Sequence, residues 1–168
     1  MSGEIARVVG ELEKLYRREI RRAPSWERIE KFSRWAKSRG LADGEVFFVP
    51  ETWFYDEVLS LLRTDDVVFD VGAGDLRFAL LISEKVRKVY AVEVNPEILG
   101  RALQVIGYNL PKNVIPICAD AREFPLPRDV TVITCLMIHR SWDFPREWRR
   151  VRIIYTRRDG VHVLEPEV

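Results

Sequence analysis

One short stretch, residues 67–74, constrains the fold of this chain more than any other part of its sequence. It reads Val-Val-Phe-Asp-Val-Gly-Ala-Gly, so four apolar residues typical of strands surround a single aspartate, Asp70, before two glycines. Because a carboxylate in a buried strand needs a partner to offset its desolvation, Asp70 is a candidate ligand-binding group. Glycines lack a Cβ and let a ligand approach the backbone closely. The stretch therefore predicts a buried strand that ends at a binding site.

Strand-like and helix-like patterns alternate after residue 45. Strands joined by helices indicate right-handed parallel crossovers, so we expect an α/β fold built on a doubly wound, mostly parallel sheet. Near the C-terminus, Asp159-Gly160 is typical of a hairpin turn. The predicted strands are 67–71, 88–93, 114–118, 129–136, 152–156 and 161–164, and the predicted helices are Thr52 to about Leu62, 76–85, 96–108 and 142–148.

The first 44 residues follow a different pattern. Apolar residues recur at helical spacing over 4–22 and 26–37, and Pro24 and Ser25 mark the break between two amphipathic helices. Because so short a segment cannot hold a core of its own, we expect residues 1–44 to form a helical extension packed on a main domain of residues 45–168.

The composition of the chain predicts its cellular compartment and the state of its cysteines. The sequence has no apolar run long enough to span a bilayer and no signal-peptide pattern, which predicts a cytoplasmic protein without a membrane partner. Cys118 and Cys135 have no metal-type spacing, so we expect reduced thiols and no metal site. Charged residues make up 32% of the chain while Asn and Gln are scarce, a composition typical of thermophiles.

Charge is distributed unevenly along the chain. Residues 1–40 hold 11 Lys and Arg against 6 Asp and Glu, residues 41–127 hold 8 against 14, and residues 128–158 hold 8 against 3. Basic flanks around an acidic centre can attract a polyanion such as RNA, or they can simply be solvated surface. The sequence leaves both interpretations open.

Two further acids follow the next predicted strands. Glu93 ends the second strand, 19 residues after Gly74, and Asp120 follows the third strand. The distance from Gly74 to Glu93 suits contact with a ribose across one strand–helix unit. Because the carboxyl ends of parallel strands meet at one edge of a sheet, we expect Asp70, Glu93 and Asp120 to converge on one cleft.

The glycine turn disfavours a nicotinamide dinucleotide. The dinucleotide fingerprint needs a glycine or alanine at position 77, where this chain has Arg77, and Asp70 would repel a pyrophosphate. A ligand with a positive group and no phosphate suits the site better. S-adenosylmethionine is such a ligand, because it carries an ammonium, a sulfonium, a ribose diol and an adenine.

At these residues the sequence resembles the class I S-adenosylmethionine-dependent methyltransferases, over about residues 45–136. Their first motif, an acid followed by x-Gly-x-Gly, is matched by Asp70, Gly72 and Gly74. The resemblance implies a Rossmann-like sheet and S-adenosylmethionine as the cofactor. The contacts that it implies are the methionine moiety at Asp70, the two glycines along the cofactor, the ribose hydroxyls at Glu93, and the adenine amino group at Asp120, which Ala121 follows.

A narrower resemblance is to small archaeal protein-lysine methyltransferases. It rests on Phe48-Val49-Pro50-Glu51-Thr52 before the first helix and on Gly74-Asp75. In those proteins a Val-Pro-Thr stretch lies over the cofactor, which implies that Pro50 and Thr52 contact it here. Glu51 interrupts the stretch in this chain.

The chain departs from the family pattern in three places. Leu76 stands where many members have a third glycine. The fourth strand ends in Thr134-Cys135-Leu136-Met137 and not in the Asn/Asp-Pro-Pro-Tyr of amino-group methylation on nucleobases and glutamine, which disfavours that chemistry. Only 32 residues follow Leu136, so we expect a sheet truncated at the C-terminus. Its uncovered edge is a candidate interface for a homo-oligomer or a partner subunit.

The methyl acceptor is less well specified. An activated donor needs alignment and exclusion of water more than acid–base catalysis, so no catalytic base is assigned. We expect a methyltransferase that acts on a macromolecule, with protein lysine ahead of RNA, and the alternative is a non-catalytic binding module with the same fold. Core packing competes with a pocket role for the aromatic candidates. The predicted substrate-pocket residues are Thr134, Leu136, His139 and Trp142, with Met137, Phe48 and Trp53 beside them.

Overall fold

A computed structural model describes residues 52–136, 143–157 and 160–167, together with the isolated helical positions Lys14, Arg34 and Ser38. The predicted extension lies outside the described residues except for those three positions. The described helices include none that is both long and apolar enough to cross a membrane.

The main domain alternates helices and strands in the order that the sequence predicts. Two short 3-10 helices, Gly107–Asn109 and Arg146–Arg150, join these elements. In chain order the elements are α1 (Thr52–Leu61), β1 (Val67–Val71), α2 (Arg77–Ser83), β2 (Lys88–Glu93), α3 (Pro96–Ile106), β3 (Val114–Cys118), β4 (Val132–Cys135), β5 (Arg152–Arg157) and β6 (Gly160–Leu164).

The six strands form one sheet in the order β3-β2-β1-β4-β5-β6. The first five strands in this order are parallel, and β6 pairs antiparallel with β5. This confirms the doubly wound, mostly parallel sheet. The chain winds outward from β1 through β2 to β3 and then returns to β4 on the other side. The order therefore reverses between β1 and β4, where ligands bind in open α/β sheets.

Several predicted elements have different bounds in the structure: the helices of residues 76–85 and 96–108 end earlier, and β5 extends to Arg157. The fourth strand is shorter than expected because Asp129 lies in a turn, where its carboxylate accepts hydrogen bonds from the side chains of Lys88 and Tyr90. The helix expected from residue 142 is instead the 3-10 helix that follows Pro145. In the hairpin, Gly160 pairs with Arg157 as the first residue of β6, and its φ of +134° explains why a glycine stands there.

The core lies on both faces of the sheet, and β1 is buried throughout because it contributes to each face. Val68 packs on one side with α1 and α2, while Val67, Phe69 and Val71 pack on the other. Trp148 of the second 3-10 helix is fully buried against Phe69 on that second side. The central strand is thereby held rigidly, and so is the binding edge at its carboxyl end.

Candidate cofactor site

Asp70 lies near the carboxyl end of β1, in the middle of the sheet. It pairs with Ala91 of β2 and Thr134 of β4, and only 3% of its surface is exposed. The Thr134 hydroxyl donates a hydrogen bond to Oδ1 over 2.7 Å. The second oxygen, Oδ2, is buried and has no hydrogen-bond partner among the described residues. A buried acceptor without a partner is costly, so this oxygen marks the place of a missing donor.

The groups around Asp70 indicate which charge a ligand group at its Oδ2 should carry. Burial raises the pKa of its carboxyl to about 7, the Thr134 hydrogen bond lowers it, and the charge of Glu93 raises it further. A nearby cation favours the ionised form of a carboxyl. The buried oxygen therefore suits a positively charged ligand group and disfavours a phosphate.

The glycine turn passes from β1 toward the end of β2. Gly72 and Gly74 have φ values of +72° and +56°, and the amides of Gly72 and Ala73 both donate to the carbonyl of Val92 over 2.9 Å. Among the described residues, no atom lies within 4 Å of a Cβ built on Gly72, so its backbone faces open space there. The predicted close approach of a ligand to the backbone is therefore sterically available.

Leu76 is the third residue of this turn with a left-handed backbone, at φ +67°. It stands where the methyltransferase pattern that the sequence resembles often has a third glycine, and a positive φ suits a glycine at that position. For a residue with a Cβ this conformation costs roughly 1–2 kcal/mol. The Leu76 side chain is fully buried in the cluster that contains Val68 and Ile82, which offsets the strain. Asp75 fixes the turn further by accepting the Arg77 amide and pairing with the Arg77 guanidinium.

Glu93 connects the glycine turn to the start of α3. Its Oε2 accepts the amide of Gly74 and its Oε1 accepts the amide of Asn95, each over 2.8 Å, and 8% of the residue is exposed. An ionised carboxylate has about four acceptor sites. Each oxygen therefore keeps capacity for one more donor, as the two hydroxyls of a ribose would require.

Asp120 stands at the end of β3 and is oriented by a residue that the sequence had not singled out. Arg122 donates to Oδ1 from its amide and its Nε, and to Oδ2 from its Nη2 at 2.6 Å. This contact holds the pKa of Asp120 below its usual value. The Asp-x-Arg spacing is the one signal in the sequence for this pair. Ala121, next to Asp120, is buried in the core.

The acceptor candidates have different positions. Thr134 and Leu136 are both buried, and Thr134 is engaged with Asp70. Thr52 is the first residue of α1. His139, Trp142, Met137, Phe48 and Pro50 lie outside the described residues, as do the side chains of Thr52 and Trp53. The described part of the chain holds no cluster of three or more metal-ligating side chains.

Comparison with known proteins gives two curated relatives and no matching family model. A tRNA (guanine(37)-N(1))-methyltransferase of Pyrococcus abyssi is 33% identical over 72 residues, which are 43% of this chain and 22% of that protein. An uncharacterized protein of Methanocaldococcus jannaschii is 31% identical over 80 residues, which are 48% of this chain and 31% of that protein. The chain thus spans less than a third of the length of the curated relatives it matches.

Solved structures share the fold. YcgJ of Bacillus subtilis has a TM-score of 0.52 at 22% identity, covering 62% of this chain and 50% of its own. A dimethyladenosine transferase of Plasmodium falciparum has a TM-score of 0.50 at 13% identity, covering 61% and 41%. The [4+2]-cyclase SpnF has a TM-score of 0.51 at 16% identity, covering 64% and 44%. Because a cyclase shares the fold, the fold alone does not decide the reaction.

Proposed function

Because this chain has both the motifs and the fold of the class I S-adenosylmethionine-dependent methyltransferases, we propose that it binds S-adenosylmethionine and transfers its methyl group to a macromolecule. The observation that carries the proposal is the buried Oδ2 of Asp70, which has no partner among the described residues and lies beside the glycine turn. A carboxylate in this position is complementary to the ammonium group of the cofactor.

The remaining polar groups follow the cofactor outward along the carboxyl edge of the sheet. Glu93 accepts the ribose hydroxyls on the acceptor sites that its two backbone donors leave open. Asp120, held by Arg122, accepts the adenine amino group. Gly72 and Gly74 let the cofactor lie against the backbone. Contacts from Pro50 and Thr52 are what the resemblance to small archaeal protein-lysine methyltransferases implies.

When bound, S-adenosylmethionine supplies a methyl group activated by its sulfonium. The chain then has to align the acceptor with that methyl group and exclude water, which favours transfer over hydrolysis. The rigid central strand suits this task, because Asp70 is fixed both by the ladder and by Thr134. An acceptor that carries an N–H must also give up its proton as the methyl group is transferred. That proton passes to solvent or to a general base, a role that is assigned to none of the described residues.

RNA is the acceptor that we place first, with protein lysine as the competitor. The relative from Pyrococcus abyssi is named for methylation of tRNA at a guanine ring nitrogen. A ring-nitrogen acceptor agrees with the sequence of this chain after β4, which lacks the Asn/Asp-Pro-Pro-Tyr of amino-group methylation. Exposed arginines of this region, among them Arg128, Arg146 and Arg157, suit an RNA backbone. Protein lysine, which the sequence analysis places first, stays the competing prediction.

Calorimetric titration tests the cofactor assignment. S-adenosylmethionine and S-adenosylhomocysteine should bind, and NAD should not. Asp70→Ala and Glu93→Ala should each weaken binding of both adenosyl ligands by at least about tenfold, the value of one lost charge-assisted hydrogen bond. Failure of the wild-type protein to bind either adenosyl ligand would disprove the assignment.

Transfer of a labelled methyl group tests the acceptor. The protein is incubated with cell lysate and donor labelled in the methyl group, and the products are digested with ribonuclease or with protease. Label released by ribonuclease supports RNA, and label released by protease supports protein lysine. Binding of the cofactor with no label in either fraction would identify the non-catalytic binding module instead.

A further inference from the structure

Thr134 lies on β4 directly opposite Asp70, and none of its surface is exposed. We infer that Thr134 is a positioning residue for the cofactor: its hydroxyl fixes Oδ1 of Asp70 and reserves Oδ2 for the ammonium group of the ligand. The inference rests on the proposed function, because it takes the ammonium group to bind at Oδ2. It changes the role of Thr134 from lining a substrate pocket to acting through Asp70.

The geometry for this role is built into the sheet. The ladder places Asp70 opposite Thr134, and the hydroxyl reaches Oδ1 over 2.7 Å. A hydroxyl has one proton to donate, so a bond to Oδ1 leaves Oδ2 without that donor. Since both residues lie in paired strands, the arrangement exists before any ligand arrives and needs no loop to close.

The Thr134 hydroxyl opposes the other influences on the ionisation of Asp70. Burial and the charge of Glu93 from β2 both raise the pKa of Asp70, and the Thr134 hydrogen bond lowers it. Cys135 of β4 also interacts with Asp70, and burial together with that carboxylate raises the pKa of the Cys135 thiol well above its ordinary value. Thr134 is therefore the one side chain, among the described residues that act on Asp70, that favours the ionised carboxylate.

Removal of the hydroxyl should make ligand binding more sensitive to acid. A hydrogen bond to a charged group shifts the pKa of that group by about one to two pH units. Loss of the hydroxyl in Thr134→Val should therefore raise the pKa of Asp70 by that amount. Asp70 must be ionised to bind the ammonium group. The affinity of Thr134→Val for S-adenosylhomocysteine should therefore be about five- to fifty-fold weaker at pH 7, and the deficit should shrink as pH rises.

Calorimetric titration with S-adenosylhomocysteine from about pH 5.5 to 9 measures this directly. In the wild-type protein the acid limb of the affinity profile should have its midpoint near pH 7. Thr134→Val should move that midpoint toward higher pH, and Thr134→Ser, which keeps the hydroxyl, should restore it. Titration of the ligand's own ammonium group affects all variants equally. Buffers of different ionisation enthalpy should show more proton release on binding by Thr134→Val at pH 7 than by the wild type.

Two variants separate the possible failures. Thr131→Val removes the equivalent hydroxyl at the other end of β1 and should leave the acid midpoint unchanged. Asp70→Asn should lose both the acid limb and most of the affinity. If Asp70→Asn binds S-adenosylhomocysteine like the wild type, Oδ2 of Asp70 does not bind the ammonium group, and the proposed function no longer has the observation on which it rests. If Asp70→Asn loses affinity while Thr134→Val keeps the wild-type midpoint, or is weaker by the same factor at every pH, only the role of Thr134 is overturned.

Discussion

A buried aspartate lies at each end of β1, and the two differ in how far the described residues satisfy their hydrogen bonds. Asp66 precedes the strand and Asp70 stands near its end, and each is about 95% buried or more. Each also receives a hydroxyl hydrogen bond from a threonine near β4: Thr131 donates to Asp66 over 2.8 Å, and Thr134 donates to Asp70 over 2.7 Å. The two acids differ in their remaining oxygen.

At the amino end that oxygen is fully used. Oδ2 of Asp66 accepts the Arg63 amide at 2.7 Å and the guanidinium of Arg152, from the start of β5, at 3.1 Å. At the carboxyl end, no described residue brings a cation or a donor to Oδ2 of Asp70. A buried carboxylate whose two oxygens both have hydrogen-bond partners stabilises the fold. A buried carboxylate oxygen without a cation or a donor is available to a ligand. The comparison predicts that Asp66 controls stability and Asp70 controls binding.

The largest expected effect is at the amino end. Asp66→Ala should lower the free energy of unfolding by about 3–5 kcal/mol, because it leaves the mostly buried Arg152 guanidinium without its carboxylate. Chemical denaturation of the unliganded protein measures the change. Asp70→Ala is the matched variant, and equal losses from both substitutions would break the comparison.

The next effect is the pH dependence of stability at Asp70. The folded pKa of about 7 lies above the model value of 3.8, so the native state binds more protons than the unfolded state between these pH values. Stability therefore falls as pH rises from about 4 to 7, by up to about 4 kcal/mol from this group. Asp70→Asn removes the titration, so it should be more stable than the wild type at pH 8.

The measurement is the difference in unfolding free energy between wild type and Asp70→Asn across that range. The difference cancels other carboxyls that titrate there, such as Asp120, whose lowered pKa works in the opposite direction. A saturating amount of S-adenosylhomocysteine should flatten the wild-type curve. A difference that is constant with pH would show that Asp70 does not titrate in this way.

A smaller effect compares the two threonines. Thr131→Val should cost about 1–3 kcal/mol of stability, because it removes a hydrogen bond to Asp66 and leaves the Val67 amide without its acceptor. Thr134→Val should cost less near pH 6, where Asp70 is largely protonated in the unliganded protein. Thermal unfolding at that pH ranks the two variants, and the reverse order would contradict the division between the ends of β1.

The smallest effect is the difference in stability between two substitutions of Leu76 in the glycine turn. Leu76→Ala and Leu76→Gly both remove a fully buried side chain, and each should destabilise the protein by about 2–5 kcal/mol. Leu76→Gly also relieves the strain of the positive φ, so it should be the more stable of the two by about 1 kcal/mol. Equal stabilities would mean that the turn relaxes once the leucine is gone.

Local pattern was enough to predict most of the sheet. β1, β2 and β3 have the predicted bounds, because each is a short apolar run between polar or turn residues. The strand order also places Asp70, Glu93 and Asp120 after three adjacent parallel strands, at one edge of the sheet, as the sequence predicts. Their convergence on one cleft stays a prediction.

What the sequence did not predict depends on pairs that are distant in the chain. Thr134 and Asp70 are 64 residues apart, and Arg152 and Asp66 are 86 apart, so neither bond has a local signature. Without these bonds the structural role predicted for Asp66 could not be distinguished from the ligand-binding role proposed for Asp70. The left-handed backbone of Leu76 was hidden for another reason, because leucine rarely adopts it and only burial of the side chain makes it tolerable.

Leu76 also links the packing of the protein interior to the shape of the glycine turn, two properties that are usually altered separately. Its backbone shapes the glycine turn at the proposed cofactor site, while its side chain packs in the interior with Val68 and Ile82. Because interiors are close-packed, substitutions at those interior positions should shift the leucine and, through its backbone, the turn. Attempts to thermostabilise this protein by refilling its interior should therefore be screened for cofactor affinity at every step, although none of the altered residues would touch the cofactor.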